Sequence, residues 1–390
     1  MPLFLEQLET PAPIVDLDRL ALNLDRMAAY CAVHALRLRP HVKTHKAPRI
    51  AAEQLRLGAA GLTCATVREA EVMSELTGDL LLAYPLAGTT ALRRLTNIAP
   101  SVRLTVGLDS RAAAERLAAA ADEIGRSVHV LVELDVGMRR TGVPDAAAAV
   151  ALAAFVAEQS PLTFDGLMFY PGHVRQPAPA QGPAMADVGR RVEGAVEALA
   201  RAGVPAGVVS GGSTPAAWRM HEVPGLTEVR PGTYVYNDRV TAAIGACEWD
   251  ACAMTVLATV VSTSVPGQAV IDAGTKALGR EPMDNARLGV AADAERGALP
   301  LTGGRADGYG ALLDRPEVAV TRMSEEHGVL DLSATDWQPE VGELVRVVPN
   351  HACIVTHLND MVYGVRDDVV ETRWPVAARG RVAPEQVPAW

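Results

Sequence analysis

From residue 13 to about residue 236, short apolar runs alternate with longer amphipathic stretches. The runs predict strands over 13–17, 36–43, 61–65, 80–85, 103–108, 128–135, 164–170 and 208–211, with 228–236 as a further candidate. Between them, apolar residues at helical spacing predict helices over 20–34, 68–76, 111–124, 145–158 and 187–202. Eight strands alternating with helices over roughly 225 residues fit a (β/α)8 TIM-type barrel. A doubly wound open sheet is the alternative, but no G-x-G-x-x-G follows the first strand. After about residue 246 the rhythm changes. Apolar runs at 252–263, 269–273, 329–332, 344–348, 361–365 and 369–374 follow one another without helices, which predicts a β-sandwich or β-barrel domain. The Gly- and Pro-containing stretch 279–310 reads as a loop or a flap. The expected organisation is an α/β chain, with the barrel at 11–245 and the β-rich domain at 246–390 taking in residues 1–10.

With 390 residues, 49% of them hydrophobic, the chain can bury one large core and a second module. A net charge of -10 and no basic stripe interleaved with aromatics exclude nucleic acid as an expected partner. The first ten residues lack a basic n-region and an apolar h-region, and no apolar run approaches membrane-spanning length. Five scattered cysteines, Cys31, Cys64, Cys247, Cys252 and Cys353, suit reduced thiols. A cytoplasmic two-module enzyme with a small-molecule substrate is expected.

Barrel chemistry is done at the carboxyl ends of the strands, and polar residues of this chain gather there. Arg39-Pro40-His41-Val42-Lys43-Thr44-His45-Lys46 closes the second run and places Lys43 at its end. Its cationic neighbours can lower a lysine's pKa enough to make it a nucleophile, although an isolated K-x-x-K is usually a solvated loop. Glu133, Asp135 and Arg140 follow the sixth run, and Tyr170 and His173 follow the seventh. The eighth leads into Ser210-Gly211-Gly212-Ser213-Thr214-Pro215, with a helix expected from Pro215. Two glycines, two hydroxyls and a helix start make a phosphate cradle, in the loop where barrels usually carry one. Arg230-Pro231-Gly232-Thr233-Tyr234 supplies a second donor group.

A phosphate cradle and an activated lysine in one barrel point to pyridoxal 5′-phosphate held on the lysine as a Schiff base. An arginine such as Arg230 near the pyridine nitrogen would leave it unprotonated and weaken the ring as an electron sink. The bland alternative is a surface ion pair with Glu228 or Asp238. His351 and Cys353, in Val348-Pro349-Asn350-His351-Ala352-Cys353, are two apart and would share a face of an extended chain. They could hold a divalent metal with positions left for water and substrate, though H-x-C more often marks a structural cysteine. His357, Asn359 and Asp360 read as turn caps, and Glu325-Glu326-His327-Gly328 as either a turn or a lining of the site.

Taken together, these motifs resemble the fold-type III pyridoxal-phosphate enzymes, in particular the D-threonine aldolase and D-serine dehydratase group with its alanine racemase-like barrel. The resemblance covers nearly the whole chain: T-P-A at 10–12, R-P-H-V-K-T-H-K at 39–46, G-M-R-R-T-G-V at 137–143, G-G-S-T-P at 211–215, E-V-R-P-G-T-Y at 228–234, I-D-A-G at 271–274, E-E-H-G at 325–328 and P-N-H-A-C at 349–353. It implies that Lys43, not Lys46, is the Schiff-base lysine. Arg140 would lie near the cofactor's phenolic oxygen, and Arg230 near its ring nitrogen. Gly211, Gly212, Ser213, Thr214, Gly232 and Thr233 would surround the phosphate, with Tyr170, Ser210 and Tyr234 also in the cofactor site. His351 and Cys353 would bind Mn, Mg or Zn, and the enzyme would be a head-to-tail homodimer. Within the group, P-N-H-A-C resembles the dehydratases. Phe169-Tyr170-Pro171-Gly172-His173 and the tail from Val365 to Gly380 resemble the aldolases, the side favoured here. The expected activity is a metal-dependent lyase acting on D-3-hydroxy amino acids: an aldolase with His173 or metal-bound hydroxide as base, or alternatively a dehydratase with Lys43 as base. A racemase or a cofactor carrier ranks lower.

Overall fold

A computed structural model describes residues 3–283 and 307–381. They divide into two compact units, one of 27–174, 180–232 and 377–381, the other of 3–26, 175–179 and 233–376. The divisions differ from the expected boundary at 245/246 because 13–17 and 233–245 pack with the β-rich unit.

Eight parallel strands form a ring in the first unit: β1 (Arg37–Leu38), β2 (Leu62–Cys64), β3 (Asp79–Leu82), β4 (Arg103–Leu108), β5 (Val128–Leu134), β6 (Leu162–Phe169), β7 (Val208–Gly211) and β8 (Glu228–Val229). Each pairs with the next from β2 to β8, and β8 pairs with β1. A parallel bridge between His41 and Thr63 closes the ring, with Val42 N donating to Thr63 O and Thr63 N to Pro40 O, both at 2.9 Å. The strands are buried, near-continuous apolar segments, as parallel strands covered on both faces must be. Helices begin where the sequence supplies a cap. Thr66, Ser110 and Asp145 each accept a hydrogen bond from the backbone N–H three residues on, starting Val67–Met73, Arg111–Glu123 and Ala146–Ala157.

The barrel is therefore present, but with one strand exchanged. The run at 13–17, expected as its first strand, is Ala12–Asp16 in the other unit's sheet, antiparallel to Met254–Ser262 and parallel to Met361–Arg366. The eighth barrel strand is instead the start of the further candidate, Glu228–Val229. An apolar five-residue run carries no mark of which sheet it will join.

The second unit is a mostly antiparallel, ten-stranded sheet in which Met254–Ser262 pairs with Ala12–Asp16, Leu344–Pro349 and Gln268–Ile271. Two short strands, Gly310–Leu312 and Val320–Met323, were not marked in the sequence. Most of the stretch expected as a loop at 279–310 lies outside the described residues.

Two charges close to the barrel rim are buried as a pair. Lys46 Nζ donates to Glu69 Oε1, and the other carboxylate oxygen accepts from Ala65 N at 2.7 Å. Lys46 is 7% exposed and Glu69 fully buried, so neither can exchange its partner for water. Removing one member of such a pair typically costs about 3 kcal/mol or more, because the other charge stays buried alone. Lys46→Met should lower the unfolding midpoint accordingly, and Lys46→Met with Glu69→Leu should recover most of the loss. Equal melting of the single variant and wild type would refute the assignment.

Candidate active site

The barrel unit gathers its chemistry at the carboxyl ends of the strands. Lys43 lies in the turn after β1, where its backbone N–H donates to His41 Nδ1 at 3.4 Å. Its Nζ is 5.7 Å from the centroid of the Tyr170 ring, and the Arg140 guanidinium is 4.9 Å from the same centroid. Tyr170 follows β6 and Arg140 follows β5, so three strand ends bring two cations to one ring. Burial, with Lys43 and Arg230 next, holds the His41 imidazole well below its usual range, so it is neutral. Lys46 turns away: its backbone is left-handed (φ 51°) and its ammonium is taken by Glu69.

Beyond β7 the two glycines are required for different reasons. A Cβ at Gly211 would sit 2.2 Å from the Phe169 ring, whereas Gly212 has φ +113°. Across from them a Cβ at Gly232 would meet Thr44 Oγ1 at 3.0 Å and the His41 carbonyl at 3.1 Å. The backbone is thus laid bare around Ser213, whose Oγ is buried and has no hydrogen-bond partner among the described residues. An orphaned hydroxyl between bare backbone segments fits a phosphate. The expected helix from Pro215 is a 3-10 helix, Ala217–Glu222, so backbone and hydroxyls make the cradle, not an α-helix end.

Arg230, after β8, is 5% exposed, and burial lowers its pKa to about 10, with Glu228 and Glu133 opposing. It is not a surface ion pair. Its Nη1 donates to Ser210 Oγ at 2.6 Å and its Nη2 to the Phe169 carbonyl at 2.9 Å. Ser210, expected in the cofactor site, has its hydroxyl committed to Arg230 and Glu228. His173 is held below its ordinary pKa by burial, with Asp135 opposing, and its Nδ1 has no hydrogen-bond partner among the described residues. Asp135 serves the loop before Arg140, accepting from Gly137 N at 2.9 Å and Arg139 N at 3.0 Å.

In the other unit His351 and Cys353 do not lie on an extended chain, as the H-x-C spacing suggested. The strand ends at Pro349, His351 is the N-cap residue of a helix, and Cys353 lies in the first turn of that helix, Ala352–Leu358. His351 Nδ1 is 3.0 Å from Asp238 Oδ2, and Asp238 Oδ1 accepts from Thr241 N at 2.9 Å. An ionised carboxylate can only accept, so Nδ1 carries the proton and Nε2 keeps its lone pair for a metal. Thr233 Oγ1 lies 3.9 Å from Cys353 Sγ, while Tyr234 is buried. Among the described residues no group of three His, Cys, Asp or Glu side chains is arranged to hold a metal. The pair is a two-ligand nitrogen–sulfur set, which suits zinc with further positions open. Asn350 is structural: its amide donates to the Glu281 and Gly308 carbonyls at 2.9 and 2.8 Å. Glu325 and Glu326 pair with Lys276 at the surface, and Asn359 bonds back to Val355 O, so both clusters keep their bland meanings.

Two family models cover the chain, "alanine racemase, N-terminal domain" over residues 15–240 and "putative serine dehydratase domain" over 253–365. The chain belongs to the alanine racemase-like, fold-type III family of pyridoxal-phosphate enzymes. Among relatives in this family, D-threonine aldolase of Arthrobacter sp is 30% identical over 385 residues, spanning 96% of this chain and 94% of that protein. D-threo-3-hydroxyaspartate dehydratase of Delftia sp. (strain HT23) is 33% identical over 364 residues, spanning 89% and 91%. The crystal structure of D-threonine aldolase from Filomicrobium marinum superposes with a TM-score of 0.84 at 34% identity, covering 98% of this chain and 99% of that one.

The cysteines of this family member differ sharply in exposure. Cys31, Cys64, Cys247 and Cys252 are buried, and only Cys353 is partly exposed. Burial pushes the Cys31 thiol up to about 12 and Cys64 well above the usual range, while Cys252 is raised by the neighbouring Cys247 and by burial. Thiolates are the reactive form. Titration of the native protein with a thiol reagent at pH 8 should show one fast site, absent in Cys353→Ser. Fast labelling that survives this substitution would refute the assignment.

Proposed function

We propose that this chain is a pyridoxal-phosphate-dependent lyase acting on D-3-hydroxy amino acids, and that it cleaves D-threonine to glycine and acetaldehyde. The observation that carries the reading is the opposite fate of two lysines in one motif. Lys46 is consumed by Glu69, whereas Lys43 reaches toward Tyr170 and shares its ring with Arg140. When bound, the cofactor supplies an electron sink for the bond broken at Cα. Lys43 Nζ would hold its carbonyl carbon, and Ser213 with the Gly211, Gly212 and Gly232 backbone would hold its phosphate. Arg230 would donate to the ring nitrogen.

His351 and Cys353 would hold a divalent ion, Mn, Mg or Zn, whose chemistry is to lower the pKa of a coordinated hydroxyl. His173, neutral through burial, would accept the proton of the substrate's 3-hydroxyl. The dehydratase reading, in which Lys43 Nζ takes the Cα proton and the hydroxyl leaves, is favoured by one observation: a cysteine stands at the second ligand position, within P-N-H-A-C. A head-to-tail homodimer in the cytoplasm belongs to the reading and is supported by the family resemblance. None of the described helices is long and apolar enough to cross a membrane.

Incubating the protein with D-threonine, pyridoxal phosphate and Mn²⁺ should release acetaldehyde and glycine. Release of 2-oxobutyrate and ammonia instead would move the chain to the dehydratase reading, and neither product would defeat the lyase reading. Lys43→Ala should abolish the visible cofactor band. Chelation should remove turnover, restored by metal, and Asp238→Asn should weaken metal binding by about ten- to a hundredfold, as loss of a carboxylate behind a metal-binding histidine does. Metal affinity unchanged by Asp238→Asn would show that the carboxylate does not orient His351.

A further inference from the structure

Arg230 is held from behind by a file of buried groups that the reaction outlined above does not use. Ser210 Oγ, which accepts from Arg230 Nη1 at 2.6 Å, lies 2.7 Å from Glu228 Oε1. Arg39 Nε donates to both oxygens of Glu228 at 3.0 Å, and its Nη1 and Nη2 reach the Asp79 carboxylate at 2.8 and 3.1 Å. Strand register lines these groups up. Ser210 and Glu228 are Cα partners on β7 and β8, and Arg39 follows β1 on the other side of β8, its N–H bonded to Val229 O. Partners at one level of a parallel sheet point to the same face. Ser210 is fully buried and Glu228 is 1% exposed.

The direction of each hydrogen bond follows from what each group can do. A guanidinium only donates and an ionised carboxylate only accepts. Ser210 has a single O–H, so it donates to Glu228 and accepts from Arg230. Two of the guanidinium's N–H groups are thereby spent on Ser210 and the Phe169 carbonyl, and Nε–H lies outside both bonds. The far end of the file opens on a cavity of about 110 Å³ lined by Arg37, Arg39, Asp79, Arg103, Asp165 and Glu228, among others. Sites for organic ligands are about 300 Å³ or larger, so the file does not serve a second ligand pocket. What it reaches is Arg230.

We propose that Glu228, acting through Ser210, is the positioning group for Arg230: it fixes which N–H groups are consumed and turns the remainder toward the cofactor's ring. Ser210 is then a positioning residue and not part of the phosphate cradle. The inference rests on the functional reading above, in which Arg230 donates to the ring nitrogen.

Ser210→Ala cuts the file while leaving the ion pairs of Arg39 with Glu228 and Asp79 in place, and Glu228→Gln is the second variant. Each is checked for native circular dichroism and then titrated with pyridoxal phosphate and with pyridoxal, which lacks the phosphate, by visible absorbance. Ser210→Ala should weaken both by a similar factor, about ten- to a hundredfold, as expected for a lost hydrogen bond to a charged group. It should also shift the cofactor band, and it should add no further loss in an Arg230→Gln background. Glu228→Gln should show the same pattern, whereas Ser213→Ala should weaken pyridoxal phosphate far more than pyridoxal. If Ser210→Ala weakens only the phosphorylated probe, Ser210 belongs to the cradle and the proposal is overturned. An unchanged affinity and band, or a loss that persists without Arg230, also overturns it. Wild-type protein giving no cofactor band would instead defeat the functional reading, and the inference with it.

Discussion

The barrel depends on closing β1, a strand of only two residues, against β2. Arg39 N and His41 N bond to β8 and the chain after it, through the Val229 and Pro231 carbonyls, while Pro40 O and Val42 N bond to Thr63 on β2. The chain from Arg39 to Val42 thus stitches both neighbours alternately, as a parallel strand does. Proline is tolerated because its carbonyl serves the ladder and no N–H bond to it is needed. Lys43 is the first residue beyond the last of these bonds. Its position at the rim is a consequence of ring closure, and the flexible loop that a basic octapeptide first suggests is excluded by four backbone bonds.

Charge inside the barrel is the second constraint, because each buried ion must meet its partner within the same ring. The file from Asp79 to Arg230 and the pair of Lys46 with Glu69 use different solutions. The pair is local to two neighbouring strand ends and serves to consume a lysine that would otherwise compete with Lys43. The file spans strands and alternates donor and acceptor, so each group fixes the rotamer of the next. Replacing such groups by apolar residues of similar shape is often neutral for stability. Their retention is better explained by orientation of Arg230 than by strength of the fold.

The sequence made the helix starts and most barrel strands legible because their signals are local: caps at Thr66, Ser110 and Asp145, and apolar runs of strand length. It misplaced the run at 13–17 because burial on both faces looks alike in either sheet. Lys43, Arg140, Tyr170 and the Gly211-Gly212 cradle were legible for a similar reason, since chemistry placed just after an apolar run lies at a strand end. Asp238 and Glu228 were passed over as working groups. Asp238 meets His351 across 113 positions and Glu228 meets Arg39 across 189. A lone carboxylate in such a place has no periodicity or motif to mark it. The H-x-C pair failed in a third way: its residues were right but its geometry was not, because a helix begins between them.

Neither the lysine nor the cradle distinguishes carbon–carbon cleavage from loss of a hydroxyl, since both reactions need the cofactor held in the same manner. The distinction lies in which proton moves first, and so in which base is neutral and unencumbered. His173 meets the first condition through burial and the second through its Nδ1, to which no described group is hydrogen-bonded. Gly137 contributes as well, because a Cβ there would come within 3.1 Å of His173 Nε2 and crowd the ring. The metal pair is indifferent by comparison. Asp238 fixes the tautomer of His351 whichever hydroxyl chemistry follows, and a thiolate or a carboxylate at position 353 would each leave coordination positions open. The same ligand set can therefore accompany either reaction, and the side chain that tips the balance toward aldol cleavage is His173.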